Sequence, residues 1–234
     1  MFYGYYYDGN YLFWMLIAFL VSLYAQIKVK HAFSKYSKIK SSSGLSGRES
    51  AEMVLNYRGV NAVTIGGISG YFTDHYDSRS NHIALSEDVL NKTSVAAVGV
   101  AAHEAGHATQ NFCGYAPLKI RQFLVPISQF GSNLAMPLVF IGLLLPVRYN
   151  FLVNLGIIFF SLAVLFQVVT LPVEFDASRR ALKALKSSGK LNEEEIEGVK
   201  KVLSAAALTY VAATFTALIS LLRLILISRR RDDF

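Results

Sequence analysis

One cysteine, Cys113, is all the thiol chemistry that this sequence carries. A lone thiol excludes an internal disulfide, so nothing ties the chain to an oxidising compartment. It also excludes a cysteine-based zinc site and leaves histidine and carboxylate as the only strong metal ligands. Charge is scarce as well. Charged residues make up 17% of the chain against 53% hydrophobic, a balance too apolar for an ordinary soluble domain. Met1 to Asn10 contains no basic residue, which excludes a cleavable signal peptide, since that would need a positive leading region. No internal repeat is present.

What the chain does have is long apolar runs. Gly9 to Ile27, Gln122 to Val147, Tyr149 to Val173 and Val202 to Leu222 each meet the need for about 20 residues of helix to cross hydrocarbon. The first is followed by Lys28, Lys30, Lys35, Lys38 and Lys40, the pattern of an anchor with stop-transfer charge. Tyr3, Tyr5, Tyr6, Tyr7 and Tyr11 before and within it suit an interfacial aromatic belt. The second and third runs are joined by a short turn at Pro146–Asn150, so they form a transmembrane hairpin.

Two polar regions remain, 28–120 and 174–201, and two crossings separate them, so both face the same side. Eighteen of the 23 Lys and Arg residues lie in or directly beside them: eleven from Lys28 to Arg121 and seven from Arg179 to Lys201. The positive-inside rule places that side in the cytoplasm. Arg229, Arg230 and Arg231 then fall outside, against the rule, and the larger bias is expected to prevail. The net charge of +7 thus reads as lipid and topology chemistry, and no nucleic-acid partner is expected. The resulting layout is an anchor at 1–27, a cytoplasmic α+β part at 28–120, a membrane hairpin at 121–173, a cytoplasmic helical part at 174–201, and a final membrane helix with basic tail at 202–234.

Within the first polar region, Ser41–Gly44 reads as a linker and Arg48–Tyr57 as a helix. Ala62–Ile65 and Asn81–Leu85 read as short strands, and Asp74–Asp77 as turn chemistry. Asn81–Leu85 is a candidate to pair with an extended polypeptide. Thr93-Ser94 opens a helix over 95–112. In the second polar region Asn192 and Glu195 form a capping box for a helix running into the last membrane span.

The helix over 95–112 carries His103-Glu104-Ala105-Gly106-His107. Random placement of 5 His and 9 Glu in this length would produce such a pattern roughly 0.3% of the time. Histidines four apart share one helix face, where one zinc ion fits between their rings. Glu104, turned to the side, is placed to take a proton from a metal-bound water, and the small Ala105 and Gly106 allow close packing. Two ligands are too few for a catalytic zinc, which usually has three from protein. His31, His75, His82, Asp74, Asp77, Glu174 and Asp176 are the candidates. Glu174 stands out, after Pro172 where the hairpin returns, with Asp176 as the alternative ligand or as an orienter of a histidine. Tyr210 is a candidate to steady a developing oxyanion, against a packing role at the interface. Arg179 and Arg180 are candidates for substrate carboxylate or lipid phosphate.

Tyr71–Gln110, Leu171–Ala181 (LPVEFDASRRA) and Ala205–Ala212 (AAALTYVA) together resemble the YugP-like neutral zinc metallopeptidases. That family is similar in plan to HtpX-type membrane proteases, which also insert a hairpin between the histidine helix and a glutamate ligand. The resemblance implies a mainly α integral membrane protein with about four transmembrane helices and a small α+β zincin-like catalytic domain facing the cytoplasm. It implies a gluzincin-like zinc metalloendopeptidase acting on unfolded or membrane-associated polypeptides, with Zn2+ as cofactor. His103, His107 and Glu174 would be its ligands and Glu104 its base. The HtpX-type pattern has an Asp four residues after the glutamate ligand, where this chain has Ser178 with Asp176 nearby. The sequence alone leaves two other classes to weigh, a non-proteolytic zinc-containing membrane scaffold and a transporter.

Overall fold

The computed structural model describes residues 9–232; Tyr3, Tyr5, Tyr6 and Tyr7 lie outside the described residues. The elements run α1 (Gly9–Tyr36), α2 (Gly47–Tyr57), β1 (Thr64–Ile68), β2 (His75–Asp77), β3 (His82–Ser86), α3 (Glu87–Leu90), α4 (Val95–Phe112), α5 (Ala116–Leu144), α6 (Asn150–Ser187) and α7 (Glu193–Asp232). Four helices, α1, α5, α6 and α7, are long and apolar enough to cross a membrane. The chain divides into two compact units. One holds the described residues up to Tyr24, Ile120–Leu171, and Thr209 onward; the other holds Ala25–Lys119 and Pro172–Leu208.

The first unit turns its apolar side chains outward: Phe13, Phe19, Phe123, Phe140, Phe151 and Leu222 are all exposed. Such a surface needs lipid as its solvent. Its helices are joined by small contacts and polar links. The place of a Cβ on Gly156 lies 2.8 Å from the Ala135 carbonyl oxygen, so α6 and α5 meet backbone to backbone. Asn150 donates to the Ser228 carbonyl and hydroxyl, at 3.3 and 3.1 Å. Arg223, within the last apolar helix, donates to the Tyr11 hydroxyl at 2.9 Å and lies 3.9 Å from the centre of that ring. Arg231 donates to the carbonyls of Gly142 and Leu145 at 2.7 and 2.8 Å, capping the end of α5, where backbone acceptors have no partner within the helix.

The second unit is an α+β body. Its core gathers Val54 and Leu55 of α2, Ile83 and Leu85 of β3, the alanine-rich flank of α4, Ala181 and Leu185 of α6, and Val199 and Val202 of α7. The sheet order is β1-β3-β2, with β1 parallel and β2 antiparallel to β3. Three sequence expectations change here. The segment expected to be only turn contains a strand, β2, and Asp77 at its end makes the turn by accepting from the Arg79 amide at 2.9 Å and the Ser80 hydroxyl at 2.6 Å. The strand expected over Ala62–Ile65 lies at Thr64–Ile68. The strand expected to pair with substrate, β3, is central: β1 covers one edge, β2 covers Ala84 to His82 on the other, and Asp74 accepts the Ser86 amide at 2.7 Å. A substrate strand has no edge to join on β3; the outer edges belong to β1 and β2.

Helix ends follow the sequence closely. Ser46 and Glu49 cap α2 reciprocally, and Asn192 and Glu195 do the same for α7, at 2.9 and 2.8 Å. Glu195 also accepts from the Ser42 amide at 2.5 Å and its hydroxyl at 3.1 Å, while the Ser41 amide donates to the Thr93 carbonyl at 2.7 Å. The Ser41–Gly44 segment is therefore a tethered connection, not a free linker. Pro172 sits inside α6, so Glu174 follows a proline within that helix. Replacing Glu195 by alanine is expected to cost about 2 kcal/mol by removing both the cap and the tether. A lowered thermal midpoint with faster hydrogen exchange at Ser42 checks this; unchanged exchange there contradicts it.

Candidate metal centre

Ser94 starts α4 by accepting from the Ala97 amide at 3.2 Å, and the alanine-rich stretch that follows is a strong helix former. The rise and turn of that helix bring the rings of His103 and His107 to 4.7 Å between centroids, at 81° to each other. Glu174 comes from α6, which α4 approaches without side chains in between. A Cβ on Gly106 would stand 2.4 Å from the Ala177 carbonyl oxygen. Glycine at 106 is what lets the histidine-bearing face reach the glutamate.

Nε2 of His103 lies 3.2 Å from Oε2 of Glu174, and Nε2 of His107 lies 3.6 Å from the same oxygen. One ligand atom from each of the three residues falls within 4.8 Å of the others. Tetrahedral zinc with bonds of 2.0–2.1 Å sets its ligands about 3.3–3.4 Å apart, so the measured separations fit. Two imidazole nitrogens and a carboxylate oxygen also form a donor set that zinc takes. Among the described residues, none of His31, His75, His82, Asp74, Asp77 or Asp176 joins this group.

The far side of each ring is held too. Nδ1 of His107 lies 3.0 Å from Oε1 of Gln110, and the Gln110 amide nitrogen donates to the Val173 carbonyl at 2.8 Å and to Asp176 Oδ2 at 3.0 Å. With both amide protons spent on α6, Gln110 offers His107 an acceptor. His107 therefore carries its proton on Nδ1, and its Nε2 lone pair points at Glu174. Nδ1 of His103 is 3.0 Å from the Ser178 hydroxyl. On the near side a neutral His103 can donate from Nε2 to Glu174 Oε2, while the His107 Nε2 lone pair faces that same oxygen, an arrangement that a cation between them satisfies.

Ser178, the residue standing where the HtpX-type pattern has Asp, thus serves His103. Asp176 serves His107 through Gln110. Arg179 and Arg180 both pair with Asp176, Arg180 Nε at 2.5 Å, so their charge is directed at that carboxylate. Gln110 and Ser178 have no motif of their own; only helical spacing marks them, Gln110 three residues beyond His107 and Ser178 four beyond Glu174.

Glu104 is buried, with 8% of its surface exposed. Burial pushes its carboxyl up to about 7; Glu174 and Asp74 push the same way, and His103 and His75 oppose them. β2 packs against α4, the helix that carries Glu104. His82 is occupied elsewhere, its Nδ1 2.7 Å from the Thr64 hydroxyl, and His75 Nδ1 donates to the Thr73 carbonyl at 2.8 Å. Tyr210 lies on α7, half-buried, among the residues of the other unit.

The family model described as "Putative neutral zinc metallopeptidase" matches residues 11–229. A curated relative, "Putative membrane protease YugP" of Bacillus subtilis (strain 168), is 46% identical over 217 residues, which is 93% of this chain and 96% of that protein. No solved structure matches the chain.

Gln110→Ala is expected to loosen the His107 ring and weaken zinc binding about 10–100-fold, measured by competition with a chromogenic chelator. Unchanged affinity would remove Gln110 from the site.

Proposed function

This chain belongs to the neutral zinc metallopeptidase family, and from that premise we propose that it is a membrane-embedded zinc endopeptidase cutting unfolded or membrane-associated polypeptides. The observation that carries the reading is the meeting of His103, His107 and Glu174 ligand atoms within 4.8 Å beside a buried glutamate.

A zinc ion held by these three residues supplies Lewis-acid activation of water and of the scissile carbonyl. Ser178 and Gln110 hold the imidazoles in the orientation that leaves Nε2 free to bind. Glu104 takes a proton from the attacking water as its oxygen bonds to the carbonyl carbon, and delivers that proton to the amide nitrogen as the carbon–nitrogen bond breaks. Water is thereby divided between a new carboxyl and a new amine. Burial suits Glu104 to this work, because a carboxyl kept out of water exchanges a proton readily near neutral pH. Extended substrate is accommodated along β2, which forms an outer edge of the sheet and packs against α4.

The active site is assigned to the cytoplasmic face on the distribution of Lys and Arg, with 18 of 23 in or beside the two segments that build it. The native thiol tests this directly. Cys113 is exposed, so a membrane-impermeant maleimide is expected to label it in inverted vesicles and not in right-side-out vesicles. The reverse pattern overturns the orientation.

Glu104→Gln tests the chemistry. The variant is expected to keep its zinc and to lose at least about a hundredfold in cleavage of an unfolded protein. Cleavage at the wild-type rate would sink the mechanism. Zinc-loaded wild type that cuts nothing would favour a non-proteolytic zinc scaffold.

A further inference from the structure

The loop from Ser69 to Asp74, between β1 and β2, carries two large aromatic side chains in the open: Tyr71 is 79% exposed and Phe72 64%. Phe72 holds a left-handed backbone, φ 58°, which a bulky side chain adopts only when its surroundings insist. The loop is built to hold it. The Thr73 hydroxyl donates to the Ser69 carbonyl at 3.2 Å, and His75 Nδ1 donates to the Thr73 carbonyl at 2.8 Å. Asp74 at the end of the loop is fastened to Ser86. Two aromatic rings displayed on a braced and strained loop are costly in water and need a partner.

The partner follows from where Phe72 rests. Its ring packs against Phe33 of α1, centroids 4.7 Å apart at 60°. Helix α1 is continuous from Gly9 to Tyr36, and its uncharged run ends at Ile27. Six residues of helical rise put the Phe33 Cα about 9 Å further along the axis. The ring itself lies nearer, because helix side chains lean toward the N-terminus. The polar layer of one leaflet is about 5–8 Å thick, so the Phe33–Phe72 pair stands at its level. Tyrosine is enriched there, with its ring among acyl ends and its hydroxyl among headgroups. Lys28, Lys30 and Lys35 on the same stretch of α1 add attraction for anionic headgroups.

We propose that the β1–β2 loop docks through Tyr71 and Phe72 into the anionic headgroup layer beside α1. The loop runs directly into β2, which packs against α4, the helix that carries His103 and His107. Docking there holds the metal centre at a fixed distance from the bilayer, which suits polypeptides already lying on the membrane surface. The docking itself does not depend on the peptidase reading.

The test uses the full-length protein carrying Trp14→Phe and Tyr71→Trp, so that position 71 holds the single tryptophan. It is reconstituted in vesicles of phosphatidylethanolamine and phosphatidylglycerol brominated in the upper part of the acyl chains. Wild-type Trp14, on the apolar run of α1, is the lipid-exposed reference. The emission of residue 71 is expected to fall below about half of its value in unbrominated vesicles. Phe72→Trp in the same Trp14→Phe background is a second reporter should Tyr71→Trp fail to fold. Bromine quenching at either folded position supports docking. Its absence overturns the proposal, whether aqueous iodide reaches the ring, meaning that the loop stands in water, or does not, meaning that protein or substrate covers it.

Discussion

Helices α4 and α6 touch at a point where no side chain stands between them, and the site depends on that contact. With Gly106 laid against the Ala177 carbonyl, one face of each helix is brought into register with the other. His103 and His107 are four residues apart on α4; Glu174 and Ser178 are four apart on α6. The two i,i+4 pairs face each other. Glu174 sits before both imidazoles, and Ser178 reaches behind His103. One turn along, Gln110 repeats the arrangement with Val173 and Asp176. A methyl group at 106 would separate the helices, and ligand and orienting contacts would go together.

The sequence exposed the half of this site that one helix can carry. Ligands four apart with a glutamate beside the first are visible because helical period alone makes them neighbours. Pro172, the returning hairpin and the resemblance mark Glu174 in the sequence; the helix packing separates it from Asp176, turning Glu174 toward His103 and His107 and Asp176 toward Gln110. The orienting residues stayed hidden for a related reason. Gln110 and Ser178 are ordinary polar residues whose roles arise from contacts across a helix interface, and periodicity does not report those. Strand β2 has the sequence of a turn, since three residues are too short to show alternation. The centrality of β3 is likewise a matter of which strands pair, and short strands do not declare their neighbours. Helix limits fared better at α4 and α7, because Ser94, Asn192 and Glu195 are local signals with local effects.

In the unit built from the four long apolar helices the physical problem is different. Lipid provides no hydrophobic drive between helices, so small residues and polar pairs do the joining. Gly156 against Ala135, Asn150 with Ser228, and Arg223 with Tyr11 are contacts of that kind. They also account for residues that sit awkwardly in the sequence. Arg223 has a phenol as its partner within an apolar helix. Arg231 is engaged by the carbonyl end of α5, which gives the basic tail a structural use and weakens its force as a topology signal.

Connectivity shows why a metal site would be divided by a hairpin. His107 and Glu174 are 67 positions apart (174 − 107). Closing a flexible loop of that length costs about 4 kcal/mol beyond a constant term, and that cost would be set against zinc binding. Here the connection is not flexible. It consists of the end of α4, a short turn, the whole of α5, a second short turn and the first part of α6, and each of these helices is unbroken. The order of the chain is therefore supplied by helix formation and packing before any ligand is engaged. Glu174 then needs only to be on the correct face of a helix already formed, and the close approach at Gly106 with the outer hydrogen bonds of Gln110 and Ser178 selects that face. A site assembled in this way keeps its metal affinity for holding metal, instead of using it to fold the chain.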